Sequence, residues 1–389
     1  MANNQSLTPL KMLLFSFHAT NTIILSYLPL YLEYKGLNGT EIGWVLAVGP
    51  LAAIVAQPFW GYMSDKYKTV KHILLICIVG LLVSSVVFFQ MDGLIAILLA
   101  GFVFYFFTSP IGGLGDSLGQ RRADDLNVSF GTIRTWGSIG FAISSLIVGQ
   151  ILTVAGIQYM IWPYLFFGTM ALIVSFRLSD VNVESDPVQL QDVQKLIRNK
   201  PFMLFLFFMM FITMTHRASD SFIGLYITQL GGNEGLVGVA WFIGVASEAL
   251  VFAFAGRWFR KYHTLVFVIF SGIIYSLRWF IYAAIEDPTY IIMLQFLHGI
   301  TFGVFYLAAL DYVTRLIPKL LQSTGHLLFY AVFFGISGII GSLLGGALID
   351  SYGGGALYAV LGGSAAAGAL FLTVYHTLTI RKKGQHQNL

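Results

Sequence analysis

Charge is what this chain lacks. Aspartate, glutamate, lysine and arginine together make up 10% of its 389 residues, and Cys77 is its only cysteine. Soluble domains carry about 25% charged residues, so an ordinary water-facing surface is excluded. A single cysteine rules out an internal disulfide and a cysteine-ligated metal centre. No nucleophile–base constellation and no set of metal-ligating residues at diagnostic spacing occurs, which argues against an enzyme. The loops and tails are too short to hold a signalling domain, which argues against a sensor or scaffold.

Apolar residues make up 57% of the chain, 34 of them Phe, and mean hydropathy is +0.78. Crossing a bilayer takes about 20 apolar residues in a helix. Twelve such stretches fall at about 12–33, 41–63, 70–90, 93–117, 131–154, 158–177, 202–230, 235–258, 263–284, 288–314, 324–350 and 355–379. The alternating ten-residue segments of a membrane β-barrel are absent. The expected fold is an all-α integral membrane protein. The opening "MANNQSLTPLK" is short and polar and reads as no signal peptide. With the N-terminus placed in the cytoplasm, all of the 22 lysines and arginines except Lys35, Arg134, Arg217 and Arg278 fall on the cytoplasmic side. That pattern predicts cytoplasmic N- and C-termini in the cell (plasma or inner) membrane. The basic pI near 9.0 then belongs to loops facing anionic lipid, and no nucleic-acid partner is implied.

The longest internal polar stretch, "RLSDVNVESDPVQLQDVQKLIRNK" (177–200), divides the twelve spans six and six. We expect an N-terminal bundle over 1–178, a cytoplasmic linker over 179–200 with a short surface helix at 188–198, and a C-terminal bundle over 201–389. The halves echo each other. A shift of 195 residues aligns "GWVLAVGPLAAIVAQPFWGYMSDKY" (43–67) with "GVAWFIGVASEALVFAFAGRWFRKY" (238–262), matching Gly43, Gly49, Gly61, Lys66 and Tyr67 to Gly238, Gly244, Gly256, Lys261 and Tyr262. Repeated six-helix halves with a site near the midplane are a secondary-transporter plan.

"GYMSDKYKTVKH" (61–72) resembles the loop between spans two and three of the major facilitator superfamily, in which Gly61 would allow close packing and Asp65 would cap or pair at the helix end and gate the cytoplasmic side. "GTIRTWGSIGFAISSLIVG" (131–149), "ASEALVFAFAGRWFRKY" (246–262), "SLRWFIYA" (276–283) and "LHGITFGVFYLAALDYVTRLIP" (297–318) are similar to the phenylpropionate permease-like branch, near the nucleoside–proton symporters and lactose permease. The resemblance spans essentially the whole chain. It implies proton-coupled uptake of a sugar, nucleoside or aromatic acid by alternating access, with Glu248 and Arg278 serving coupling and binding, and it gives His216 a counterpart in the branch's seventh span. His326 stands where a glutamine is expected.

Ionisable groups inside spans cost about 2.5–3.5 kcal/mol each at a helix centre. This chain has Asp116, Arg134, His216, Arg217, Asp220, Glu248, Arg278, His298, Asp311 and His326 there. They are tolerable if they pair and face a polar cavity. His216 and Arg217 lie four and three residues before Asp220, so both can meet it on one helical face. Glu248 has no cation within a turn of its own helix, and Arg278 on the next span is the natural partner. A carboxylate isolated in a dry site holds its proton, and one beside a cation releases it. Proton coupling is therefore assigned to Glu248, Arg278, Asp220 and His216. Asn21, Asp116, Arg134, Arg217, His298, His326 and Tyr330 are candidate substrate contacts, with His18, Asn21 and Thr22 expected on one face of span one. Asp311, one turn from Arg315, joins Asp65 as a candidate gate. Tyr27, Tyr31, Tyr226, Trp241, Trp279, Tyr306 and Tyr330 are open either to stacking on a solute or to lipid.

The function expected is a proton-coupled symporter of a small organic solute, working as a monomer in the bilayer with protons as coupling ion and no other cofactor. The alternative is a proton-coupled drug or metabolite efflux antiporter. Exporters of the superfamily usually have a Gly-Pro-Gly-rich signature in span five; here "TIRTWGSIGFAISSLIVGQIL" has no proline.

Overall fold

The computed structural model describes residues 7–180, 190–258 and 263–386. Six helices come first: α1 (Thr8–Tyr34), α2 (Gly39–Tyr67), α3 (Lys71–Gln90), α4 (Leu94–Asp125), α5 (Phe130–Ala155) and α6 (Ile161–Phe176). The short α7 (Leu190–Ile197) follows, then α8 (Lys200–Gln229), α9 (Glu234–Trp258), α10 (Thr264–Ala283) and α11 (Pro288–Leu316). A last helical run begins at Gln322 and ends at His386. Among the described residues eleven runs are long and apolar enough to cross a membrane, and the last of them, Thr324–Thr379, is 56 residues long. At about 1.5 Å per residue that is more than twice the ~30 Å of hydrocarbon. The run breaks at Gly353, whose φ of 80° and ψ of 171° leave the helix, a conformation open to a residue without a Cβ. The break separates α12 (322–352) from α13 (354–386), so twelve spans result, as expected.

Intrahelical hydrogen bonding satisfies the backbone that hydrocarbon cannot, and local signals set the helix ends. Asn38 and Glu41 form a reciprocal capping box at α2. Asp287 accepts from the Thr289 amide, with Pro288 in the first turn of α11. The first turn of α3 is capped from a distance: the Asp180 carboxylate, just beyond α6, accepts from the backbone N–H groups of Val70 and Lys71 at 3.1 and 3.0 Å and from the Thr69 hydroxyl. Asp65, expected to do such work, is exposed, and its side chain has no hydrogen-bond or ion-pair partner among the described residues. Gly61 is not a packing contact either, since a Cβ there would meet nothing within 4 Å.

The chain forms two compact units: Met1–Asp186 with Ser221–Phe242, and Pro187–Asp220 with Ile243–Leu389. In the first, α1 is the central element. Ser144 of α5 donates to the Ala19 carbonyl, Thr22 donates to Phe141, Tyr27 donates to Ser145 at 2.6 Å, and Tyr31 donates to Phe89. In the second, Ser276 of α10 donates to Gly362, Thr213 of α8 bonds Ser337, and Ser364 donates to Phe211. Tyr27, Tyr31, Tyr226, Trp241 and Trp279 are buried inside the protein and so are not the lipid-facing rings that composition allowed. The linker helix forms where it was expected and tucks Leu196 into the second unit beside Gly325. Residues 181–189 of the linker, and Lys261 and Tyr262 of the repeat, lie outside the described residues.

Because Asp180 meets two helix N-terminal amides, Asp180→Ala should lower stability by about 1 kcal/mol, while Asp65→Ala should leave it unchanged. Thermal unfolding of the two purified variants checks the contrast.

Candidate functional site

The second unit gathers most of the buried charge. On α8, Arg217 Nη1 meets Asp220 Oδ2 at 2.9 Å, and His216 Nε2 lies 3.4 Å from the same oxygen. The Asp220 and His216 side chains are 9% and 5% exposed. The His216 ring stacks on Phe302 of α11 at 4.8 Å and lies 5.6 Å from the His298 ring. His298 Nε2 in turn lies 3.7 Å from Glu248 Oε2 on α9. That separation suits an ion pair if the ring is protonated, and it is too long for a hydrogen bond. One contiguous set thus joins Asp220 and Glu248 through two imidazoles.

Arg278 does not pair with Glu248 as expected. It is 1% exposed, and all its hydrogen bonds go to neutral acceptors: Tyr282 Oη from both Nε and Nη2, Thr301 Oγ1 at 3.0 Å, and Gln295 Oε1 at 2.5 Å. The Trp279 and Tyr282 rings flank it at 4.9 and 5.2 Å. Among the described residues it makes no ion pair. Trp279 is itself held by the Thr215 hydroxyl at 3.0 Å. Gln295, Thr301 and Tyr282 carry no charge, so the pattern of ionisable residues does not point to them. Gln295 is the one amide in its span, which is the sequence signal that marks it.

Irregular helix geometry aims these groups. After its first turns, α11 tightens to a 3₁₀ turn at Leu294–Leu297 and then widens to a π turn at Gly299–Val304. Such widened turns favour functional sites because they rotate the side chains that follow. Gly299 allows α11 to reach α9: its N–H donates to Ser247 Oγ at 2.9 Å, and a Cβ there would sit 2.4 Å from the Ser247 carbonyl oxygen. A second π turn, Ala331–Ile336, interrupts α12 just after Tyr330. Tyr330 bonds Tyr306 through the hydroxyls at 3.3 Å, and the Phe302, Tyr306 and Tyr330 rings lie nearly parallel in succession, each half-buried. His326 binds the Thr314 hydroxyl at 2.8 Å, and Asp311 pairs with Arg315 at 2.7 Å. Both contacts lie away from the charged set.

The first unit has its own pair. Arg134 Nε lies 3.4 Å from Asp116 Oδ1, an oxygen that is buried and makes no hydrogen bond. Beside it, His18 Nε2 is also buried without a partner, and its ring and the Arg134 guanidinium both press on the space above Gly137. His18 and Thr22 turn toward α5, so of the three polar residues expected on one face of α1 only Asn21 is exposed.

The MFS_1 like family model matches residues 7–360. The chain belongs to that family. It is a multi-pass membrane transporter of the major facilitator type and not an enzyme. It is 28% identical to the maltose permease of Geobacillus stearothermophilus over 89% of this chain and 88% of that one. It is 25% identical to the probable 3-phenylpropionic acid transporter of Escherichia coli over 77% of this chain and 80% of that one. The crystal structure of the nucleoside transporter NupG superposes with a TM-score of 0.84 at 17% identity, covering 95% of this chain and 98% of that one, which shows the shared fold.

In this MFS_1-like transporter, Gly299→Val should force α9 and α11 apart. We expect a loss of about 1–3 kcal/mol from overpacking, read as a lower midpoint of thermal unfolding. The same variant should lose transport even at temperatures where it stays folded, because His298 moves away from Glu248.

Proposed function

We propose that the protein imports a ring-bearing small solute together with a proton, as a monomer in the cell membrane with both termini in the cytoplasm. The observation that carries this reading is the pair of carboxylates, Asp220 and Glu248, set deep in membrane-crossing helices of one unit, each against an imidazole. A structural ion pair has no need of two titratable groups that can trade a proton, and an intramembrane carboxylate of this kind is costly unless it functions. Asp220 is anchored by the permanent charge of Arg217. Among the described residues Glu248 pairs with His298 and with no permanent cation, so Glu248 is assigned as the proton carrier. Arg278 acts at a distance as a fixed positive charge.

For the solute, three features support a ring with hydroxyl or carboxylate substituents. Phe302, Tyr306 and Tyr330 present a row of half-buried ring faces. Asp116 Oδ1 is a buried acceptor beside a donor, Arg134, and a buried ring nitrogen, His18 Nε2, that donates or accepts with its tautomer, which suits a hydroxyl that both donates and accepts. The names of the relatives span a disaccharide and an aromatic acid, and that of the structural neighbour a nucleoside. Binding on one side, exposure on the other and proton release there constitute alternating access, with protons as the coupling ion.

Proteoliposomes loaded with a pH gradient test this. Maltose, a nucleoside and 3-phenylpropionate are offered in turn, and at least one should accumulate when the outside is acidic. Glu248→Gln should lose uphill accumulation while retaining solute exchange. Loss of solute from the vesicles in exchange for entering protons would instead make the protein an exporter.

A further inference from the structure

We propose that Gln295 is a positioning residue for coupling: it holds the Arg278 guanidinium through an uncharged acceptor, so that the charge is fixed in place yet left free to act on Asp220. The proposal rests on the proton-coupled reading above.

Two needs of a buried guanidinium are separable. Its N–H groups need acceptors, and its charge needs a counter-charge; a carboxylate in contact would meet both at once. Here the first need is met without the second. Four hydrogen bonds run to Tyr282, Thr301 and Gln295, all neutral, and two aromatic faces complete the cradle. The bond to Gln295 is the shortest of the four, at 2.5 Å. Gln295 is buried on the 3₁₀ turn, one turn before His298, and both residues pack over Gly244 of α9. Gln295 therefore ties Arg278 of α10 to the helix face that carries the partner of Glu248.

The charge is not isolated. Asp220 lies within electrostatic range of Arg217, His298 and Arg278, and Tyr275 lies within range of Asp220, Arg278 and Glu248. Around Asp220 the facing groups are His216 and Arg217 from α8, Arg278 and Tyr275 from α10, and His298 from α11. Around Glu248 the facing groups are His298 and Tyr275. Around Arg278 they are Asp220, His216, Tyr275 and Tyr282, with the Tyr358 ring of α13 against Tyr282 and Trp279. A glutamate in place of Gln295 would differ by one atom in shape and would turn the latch into an ion pair. A cation favours the ionised form of a nearby carboxylate, so neutralising it makes that carboxylate hold its proton to higher pH.

The test is an infrared titration of purified protein. The protonated-carboxyl band of Asp220 is isolated in each case by subtracting the matched Asp220→Asn background. In Gln295→Glu the midpoint should rise by about one pH unit or more, a tenfold gain in proton affinity, and the pH profile of uptake in vesicles should shift the same way. Gln295→Met, of similar length and apolar, removes one bond but leaves Arg278 charged and held by Tyr282 and Thr301; uptake should slow with the midpoint in place. An unmoved midpoint in Gln295→Glu overturns the proposal, as does an equal rise in Gln295→Met, which a purely structural latch would produce. If the wild type shows no proton drive in vesicles, the coupling reading fails, while the titration still decides whether Gln295 governs the reach of the Arg278 charge.

Discussion

A guanidinium cannot release its proton, and in hydrocarbon it cannot borrow water. Arg278 is nearly fully buried in a membrane-crossing helix, and the second unit is arranged around that constraint. Its donors are met by Gln295, Thr301 and Tyr282, its faces by Trp279 and Tyr282, and Trp279 is fixed by Thr215 of α8. Gln295 and Thr301 come from α11 and Thr215 from α8, helices that must approach α10 closely, so the charge constrains which faces of α8, α10 and α11 meet. Asp220 and Glu248 are not bound to it: Asp220 is held by Arg217, and Glu248 lies beside His298.

Regular helices alone would not produce that geometry. A straight 3.6-residue helix through 288–316 would drift its polar groups around the axis. The 3₁₀ and π turns in α11 instead keep Gln295, His298 and Thr301 aimed at α9 and α10, and place Phe302 against His216. The cost is a weaker backbone ladder in a solvent that offers no replacement donors. Ser247 offsets part of it by accepting the Gly299 N–H. The second π turn, beside Tyr330 and Phe333, repeats the arrangement in α12. Both irregularities fall in the unit that holds most of the buried charge.

Legibility followed the range of the interaction. The i,i+3 and i,i+4 pairs of α8 and the Asp311–Arg315 pair were readable because a helix fixes their spacing. The Asp116–Arg134 pair was readable because a short hairpin joins its helices. The partner of Glu248 was not: sequence order suggested Arg278 on the adjacent span, and packing supplied His298 from the span beyond. Asp65 and Asp180 show the same limit, since a helix end can be capped by a carboxylate more than a hundred residues away.

The sequence by itself determined that this chain lives in hydrocarbon, how often it crosses, and that its few charges in the spans had to be satisfied internally, because hydropathy and the price of a bare charge are local properties. Tertiary structure alone decided which groups do the satisfying. Tyr282 sits four residues after Arg278 and Gln295 is the one amide in its span, but no local pattern marks these two and Thr301 as the groups that meet a buried cation. They matter because α10 and α11 come close enough for neutral oxygens to reach a buried cation, and helix approach depends on the shapes of all the side chains between them.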